Sequence, residues 1–343
     1  MILPLTLRLD EMARMVNCEL TEDPIYAGLE IQVFDDDKHG RGVLVFLERR
    51  ADNKIDVYHQ PGLRLERSGY AIGAGLGLWR ETAIEPAVVA VTATGVHVDV
   101  ALVDANGRGV EVRIDDRDRR RRRPAALLAP MGAAIERPTS LPLVWMPGFD
   151  LVRRSGREPE ILIDGRPAST GRLPGEFLHR RRLIKYSEGL CLASVNPAHD
   201  GPLPAPDPDA GPGVVTASAG GHRALLQVNP PLPDPEVMTP GEVAEGTWTV
   251  AIDTAPAVTG GTWRATRGEE ALDLVLEVTK RWRPRRLPLL MRIVTTVIPV
   301  FRRWPTTYRW EAAIALGTPP AMRSRWTRTG GAGAESYSRA TGH

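Results

Sequence analysis

The sequence has few cysteines, little net charge and no long uninterrupted apolar run. Two cysteines in 343 residues, Cys18 and Cys191, cannot make a disulfide framework or a four-thiolate metal site, and so few cysteines are typical of a reducing compartment. The 44 Lys and Arg residues and 42 Asp and Glu residues leave a net charge of +2, which gives no general reason to expect a polyanionic partner. The main apolar segment, 287–301, is broken by two prolines and an arginine and is too short to span a bilayer core of ~30 Å.

The motifs of familiar catalytic classes are missing as well. The chain has no G-x-S-x-G, P-loop or H-E-x-x-H motif, and its cysteines lack metal-ligand or redox spacing. Residues 73–77 have the spacing G-x-G-x-G without a strand–turn–helix context, so we interpret them as a glycine-rich strand or bulge that allows close approach. The carboxylates of the acidic turn 35–39 do not converge without a specific loop. We therefore predict no cofactor and no metal.

The N-terminal residues do not read as a secretory signal. Their apolar side chains are not preceded by a basic region and are followed by Asp10 and Glu11. This pattern predicts a cytoplasmic protein.

Much of the chain carries the alternating pattern of β-strands. The 33 glycines and 30 prolines favour many short elements joined by turns. Residues 29–33 and 96–103 alternate apolar and polar side chains. Asn106-Gly107 follows the second of these segments and is a strong hairpin signal, because both positions of a type I′ turn need positive φ.

These patterns predict an all-β fold made of two consecutive antiparallel β-barrel-like halves. We place the N-terminal half at 1–137, the C-terminal half at 138–320 and a disordered tail at 321–343. One short capping helix is expected near 289–303, since a proline precedes it and a second proline would bend or end it.

This layout resembles a known family. Two consecutive up-and-down β halves, late strands that carry Trp248 and Trp263, and a closing strand at 308–312 are similar to the tandem lipocalin-like proteins. That family is related to hydroxyneurosporene synthase (carotenoid hydratase), AttH-type proteins and lipocalin-like Diels–Alderases. The resemblance covers roughly residues 25–317 and implies a pocket within or between the barrels, with cofactor-free hydration or cyclisation of a natural product. It assigns no catalytic residue, because no shared motif anchors one.

The candidate catalytic residues lie on two predicted strands. His97 and Asp99 are two positions apart and so share a strand face, roughly 6–7 Å apart along the chain. A polar face is ordinarily the solvent side, but in a ligand-binding barrel it lines the lumen, where a His/Asp pair can act in acid–base catalysis. On an earlier strand, Tyr58 shares one face with Asp56. His59 lies on the other, apolar face, where it is either a satisfied core or rim residue or a catalyst.

The aromatic usage is skewed towards tryptophan, with 8 Trp against 5 Phe. Trp79, Trp248 and Trp263 fall on or beside predicted strands. A large aromatic residue on a strand usually belongs to the core, but indole rings also line apolar pockets and stabilise cationic or polyene transition states. Both interpretations stay open for these residues.

Basic residues are concentrated in a few blocks, at 117–123, 179–182, 285–286 and 302–303. The first block is expected to form a self-repelling loop that does not pack. Neither of the first two blocks is interleaved with aromatic residues as in a recognisable reader module, so we predict no specific nucleic-acid partner. The last two blocks bracket 287–301, an arrangement that suits either a buried capping helix or a helix held transiently at a membrane surface.

We expect a protein that binds an apolar small molecule, such as a polyene, terpenoid or polyketide-like compound, in a barrel or inter-barrel pocket. It would act as a cofactor-independent cyclase, isomerase or hydratase by shaping the substrate and supplying one or two acids or hydrogen-bond donors. The expected catalytic residues are His97, Asp99, Tyr58 and His59, and the expected substrate-binding residues are Trp248, Trp263 and Trp79.

One alternative is a non-catalytic carrier of a hydrophobic ligand. A second is association with an anionic membrane or nucleic acid through the arginine blocks. The oligomeric state stays open.

Overall fold

The protein is all-β, as the sequence predicts. A computed structural model describes residues 5–67, 70, 75–130, 138–154, 157–173, 179–205, 210–253, 257–284 and 287–328. Strands make up 57% and helices 5% of the structure, with two curled half-barrel sheets and a short helix near the C-terminus. These proportions confirm the predicted fold class.

The largest sheet has ten strands and curls on itself. Its strands are β1 (Leu7–Met12), β2 (Arg14–Glu19), β3 (Tyr26–Asp36), β4 (Gly40–Arg49), β5 (Ile55–His59), β6 (Leu76–Glu81), β10 (Ala125–Ala129), β11 (Leu141–Arg153), β14 (Arg181–Ser187) and β15 (Leu190–Val195). The order is β1-β15-β11-β14-β2-β3-β4-β5-β6, with β10 paired to β11 and only β5 and β6 running parallel among the described pairs. Strand β1 contacts β3 although four strands separate them in the sheet, so the sheet closes part of the way into a barrel.

Two further sheets complete the fold. The five-stranded sheet contains β7 (Ala87–Thr92), β8 (Gly95–Val103), β9 (Gly109–Asp115), β12 (Glu160–Ile163) and β13 (Arg166–Pro167), in the order β13-β12-β9-β8-β7. The eight-stranded sheet contains β16 (His199–Pro202), β17 (Val214–Ala219), β18 (His222–Asn229), β19 (Val243–Ile252), β20 (Thr259–Arg267), β21 (Ala271–Lys280), β22 (Tyr308–Ala315) and β23 (Ala321–Arg328), in the order β16-β23-β22-β21-β20-β19-β18-β17.

The ten-stranded sheet buries side chains on both faces. Its inner face holds one apolar cluster, while its outer face packs on the five-stranded sheet at β2–β4 and on the eight-stranded sheet at β1, β11 and β15. Alternation of side chains along a strand produces this division. Leu143 and Trp145 of β11 pack towards the eight-stranded sheet, whereas Val144 between them lies on the inner face.

The sheets do not divide at the boundary predicted at residue 137. Strand β11 pairs with β10 from before that boundary, β14 pairs with β2, and β12 pairs with β9. The chain enters the eight-stranded sheet between β15 and β16, after Val195, and the later described strands all belong to that sheet. Counting strands along the sequence does not determine which strands pair across a loop, and the predicted division into two halves stays a prediction.

The β8–β9 hairpin is present, but its turn differs from the predicted type I′. Gly107 has a φ of +80°, whereas Asn106 is not among the residues with positive φ. The loop is built on Asp104, whose side chain accepts hydrogen bonds from the backbone N–H groups of Asn106 and Arg108 at 2.8 and 2.9 Å. A side chain that satisfies two loop amides therefore replaces the two-residue turn.

The end of the glycine-rich stretch 73–77 contributes to a strand. Leu76 and Gly77 begin β6, and residues 73 and 74 lie outside the described residues. A Cβ atom on Gly77 would lie 2.5 Å from Asp56 Oδ1, so this glycine permits the close approach expected of it.

The C-terminal segment contains the expected helix and an unexpected strand. Helix α1 (Leu289–Val297) follows Pro288, and α2 (Pro299–Arg303) begins at the second proline after an extended Ile298. Within the described ranges, no helix has the length and apolar content needed to cross a membrane.

Strand β23 occupies the start of the predicted tail because it pairs along its whole length with β22. Residues 329–343 lie outside the described residues.

The arginine run 117–123 is a loop, but part of it packs. The Arg122 side chain is only 3% exposed, lies over the ring of Tyr186 and forms an ion pair with Glu188. Arg153 holds the same loop by hydrogen bonds to Asp118 Oδ1 at 2.9 Å and to Arg120 O at 3.0 Å. Acidic and aromatic partners far along the chain thus overcome the self-repulsion expected of the run.

Candidate functional site

The inner face of the ten-stranded sheet is apolar and lies beneath the helical segment. Alternation along β3, β4 and β5 directs Phe34, Leu44 and Val57 to this face. Leu287 and Met291 pack on it from the other side, so α1 covers the sheet. The buried residues of this face and of the segment above it form the inner-face cluster: Met12, Met15, Phe34, Leu44, Phe46, Val57, Leu63, Ala125, Leu127, Ala129, Val144, Met146, Phe149, Leu151, Leu190, Leu287 and Met291.

Four rings line the inner face near the β5–β6 edge and are here called the aromatic wall. The ring centroids of His59 and Trp79 are 5.4 Å apart, those of Tyr70 and Trp79 are 5.3 Å apart, and those of Phe46 and Tyr70 are 6.0 Å apart. All three pairs are tilted, a geometry that aromatic rings favour. Trp79 and Tyr70 are only partly buried. The wall is therefore apolar and partly open.

His59 supplies the aromatic wall with an imidazole. Its Nδ1 lies 3.3 Å from the carbonyl oxygen of Gln60. Gln60 is itself fixed, because its Oε1 accepts a hydrogen bond from Val43 N at 2.8 Å and its Nε2 donates to Ile84 O at 3.1 Å. A neutral imidazole offers one donor and one acceptor, so His59 can orient a polar group of an otherwise apolar ligand.

Tyr70 adds a hydroxyl to the same wall. Burial is the main cause that raises the pKa of Tyr70, and the carboxylates of Asp10 and Asp36 raise it further. The hydroxyl therefore keeps its proton and can donate a hydrogen bond. Sequence reasoning missed Tyr70, because it lies in a loop without a strand pattern.

Tyr58 lies on the opposite face of β5, away from the aromatic wall. It is fully buried between the ten- and five-stranded sheets, where its hydroxyl accepts a hydrogen bond from Ala105 N at 3.0 Å. Burial raises the pKa of Tyr58. The structure thus gives Tyr58 a role in holding the β8–β9 loop and does not place it beside His59 on the inner face.

His97 and Asp99 lie on the outward face of β8. Val98 between them is buried, whereas both polar side chains are partly exposed. His97 Nδ1 is 3.9 Å from Asp115 Oδ2, and Asp99 Oδ1 is 3.8 Å from Arg113 Nε. Of the two alternatives for this face, the structure shows the solvent side, and it does not bring the pair to the inner face.

Trp248 and Trp263 belong to the core of the eight-stranded sheet. Both are almost completely buried, and Trp248 Nε1 donates hydrogen bonds to Thr262 O at 3.2 Å and to Glu277 O at 3.3 Å. The burial of both residues and the hydrogen bonds of Trp248 fit their interpretation as core residues. Of the three tryptophans expected to bind substrate, Trp79 is the one on the inner face.

A group of titratable residues that the sequence did not indicate joins two sheets. His222 Nδ1 on β18 is 2.9 Å from Asp253 Oδ2, and its Nε2 is 3.6 Å from Glu11 Oε1 on β1. Burial raises the pKa of Glu11, although His222 acts against this shift. No local pattern could have identified the group, because its members lie far apart in the chain.

A groove of about 640 Å³ lies beside α1. Four arginines and two aromatic residues contribute most of its lining, which consists of Arg281, Trp282, Arg283, Pro284, Arg292, Thr295, Thr296, Phe301 and Arg302. The lining contains no acidic residue. Such a set can hold an anion next to an apolar group.

No metal centre is found among the described residues, and the comparisons with known proteins give no family. Across the described part of the chain, no group of three or more His, Cys, Asp or Glu side chains could hold a metal ion. No protein-family model, curated protein or solved structure matches the chain. The resemblance to tandem lipocalin-like proteins therefore stays a prediction, and the fold and the inner face define a curled-sheet β protein with a covered apolar surface.

Proposed function

We propose that the protein binds an apolar small molecule against the inner face of the ten-stranded sheet, beneath α1. The observation that carries this proposal is the aromatic wall, which sets one imidazole and one hydroxyl into a partly open apolar surface. Ligand sites of small molecules are mostly apolar with a few placed polar groups. A polyene, terpenoid or polyketide-like compound has this chemistry.

Catalysis is the finer part of the proposal. A cofactor-independent cyclisation, isomerisation or hydration needs a shaped surface and one acid or base near the reacting atoms. His59 is the residue that can fill this role on the inner face, since its imidazole contacts Trp79 and its orientation is fixed through Gln60. The carrier alternative uses the same face without turnover.

Binding is tested with all-trans-retinol as a polyene probe, titrated into the full chain and followed by quenching of tryptophan fluorescence. We expect a single site, with Trp79→Ala lowering the affinity about tenfold because it removes apolar contact area. His59→Ala should also weaken binding, whereas His97→Ala is the matched control and should leave it unchanged. No saturable binding, or equal losses in His59→Ala and His97→Ala, would contradict the proposal.

The enzyme and carrier hypotheses are distinguished with the ligand that the protein itself carries. Native mass spectrometry followed by solvent extraction identifies any bound apolar molecule, which is then incubated with wild type and with His59→Ala. Catalysis is supported if wild type converts the molecule and His59→Ala binds it without converting it. Unchanged ligand with both proteins supports a carrier.

A further inference from the structure

The helical segment has a second apolar face, turned away from the sheet. Met291 is buried against the inner-face cluster, but Leu289, Ile293 and Val297 are 71%, 51% and 66% exposed. Residues four apart lie on one side of a helix, so these three form a stripe about 12 Å long. In the part of the chain that the structure describes, the stripe is left uncovered. Exposed apolar side chains aligned in this way mark an interaction surface.

The same region is basic and contains no acidic residue. From residue 280 to residue 310 there is no Asp or Glu, and there are nine basic residues: Lys280, Arg281, Arg283, Arg285, Arg286, Arg292, Arg302, Arg303 and Arg309. Residues 285 and 286 lie outside the described residues, so the surface is argued without them.

Five of these arginines are exposed beside α1: Arg281, Arg283, Arg292, Arg302 and Arg303. None of the five forms an ion pair with a described carboxylate. Surface arginines elsewhere in the fold do have acidic partners, such as Arg113 with Glu160 and Arg323 with Asp200. The arginines beside α1 therefore leave positive charge available to an external anion.

The groove beside α1 brings guanidinium groups together. Arg281 donates from Nη1 to the backbone oxygen of Arg302 at 3.3 Å, so the segments before and after α1 are in contact. Trp282 and Phe301 line the same groove and give it an apolar wall. Guanidinium groups form charge-assisted hydrogen bonds with phosphate oxygens, and tryptophan is enriched at the boundary between water and lipid.

We propose that α1 and its arginines dock the protein on the surface of an anionic phospholipid bilayer. Leu289, Ile293 and Val297 would enter the boundary of the acyl chains, while Arg302 and Arg303 contact lipid phosphates. Basic helices with an apolar stripe bind membranes in this way. The inference does not depend on the proposed ligand site.

Charge and apolarity together select this partner over others. A second copy of the chain would cover the stripe, but it would bring two basic surfaces together without an acidic residue between them. A nucleic acid would neutralise the arginines and leave the stripe in water. An anionic bilayer satisfies both features at once.

The first test places a fluorophore on the stripe. Both natural cysteines, Cys18 and Cys191, are buried, so Val297→Cys can be labelled selectively with an environment-sensitive dye. The dye emission should shift to the blue with vesicles of phosphatidylcholine and phosphatidylglycerol and not with phosphatidylcholine alone. Val103→Cys, on an exposed position of β8, is the matched control and should show no shift. No shift at residue 297, or the same shift with both vesicle types, would overturn the proposal.

The second test measures vesicle flotation of unlabelled full-length protein at low and moderate salt. Arg302→Gln with Arg303→Gln should lower the partition coefficient about 20-fold, and moderate salt should weaken wild-type binding. The charge-matched control changes Arg119 and Arg121 to Gln in the exposed 117–123 loop and should bind as wild type does. Equal losses in the two double variants, or binding of an RNA oligonucleotide in place of vesicles, would contradict the membrane assignment.

Discussion

At the scale of single residues, Asp104 is a buried carboxylate that holds the β8–β9 loop against β3. Its oxygens accept hydrogen bonds from Asn106 N at 2.8 Å, Arg108 N at 2.9 Å, Arg108 Nε at 3.0 Å and the Tyr26 hydroxyl at 3.1 Å. Asp104→Ala removes all four and is expected to lower the free energy of unfolding by about 3 kcal/mol in urea denaturation. Asp99→Ala removes an exposed ion pair and should change it by less than about 0.5 kcal/mol. Similar losses in the two variants would contradict this role.

The same carboxylate gives the stability a predictable dependence on pH. Burial favours a higher pKa for Asp104, but hydrogen bonds from Arg108 and Asn106 outweigh it and lower the pKa below its ordinary value of 3.8. A lowered folded-state pKa contributes stability above the unfolded-state pKa, and this contribution is lost as the pH falls through the folded-state value. The difference in unfolding free energy between wild type and Asp104→Asn should be constant from about pH 7 to about pH 5 and shrink below about pH 4. Urea titrations across this range measure it, and a difference that grows in acid would refute the assignment.

At the scale of elements, strands were predictable where one face is buried and the other is polar. In β8 the alternation places Val96, Val98 and Val100 inside, and the structure agrees. Alternation also predicts that the neighbouring residues Tyr58 and His59 lie on opposite faces of β5. The pairing of strands was not predictable, because it depends on contacts such as the hydrogen bond from Thr6 N to Asn196 Oδ1, which spans 190 positions.

The candidate site was predictable to the same limited extent. The face of His59 follows from the local pattern, but its meeting with Trp79 and Tyr70 does not, since Tyr70 lies outside the strands. The group of Glu11 and His222 is likewise created by the packing of two sheets. Local periodicity determines which way a side chain points, and only the tertiary structure determines what it meets.

Helix α1 is anchored by few side chains, which makes its local stability sensitive to one of them. Met291 is its buried residue, whereas Ile293, two positions later and on the other side of the helix, is exposed. Met291→Ser should raise the rate of amide hydrogen exchange in α1 by at least about 20-fold, because it removes about 2 kcal/mol of apolar burial. Ile293→Ser should leave exchange in the helix nearly unchanged. Equal protection in both variants would show that Met291 does not anchor the helix.

At the scale of the whole molecule, the chain is held together across sheets. Leu7 and Leu9 of β1 pack into the core of the eight-stranded sheet while β1 itself pairs with β15 of the ten-stranded sheet. Trp326 of β23 donates its indole N–H to the carbonyl oxygen of Asn196 at 2.7 Å. The ten- and eight-stranded sheets therefore share one core and should unfold together.

This arrangement predicts that the two sequence halves cannot fold separately. A fragment of residues 1–137 lacks β11, β14 and β15, so β1 and β10 lose their described partners, β2 keeps only β3, and apolar surface is left in water. We expect the full chain to show one cooperative thermal transition by circular dichroism, and the separate fragments 1–137 and 138–343 to show none. Mixing the two fragments should restore part of the transition, since the missing strands are then supplied. A cooperative transition in fragment 1–137 alone would instead make it an independent domain, and the pairing of β2 with β14 would then contribute little to stability.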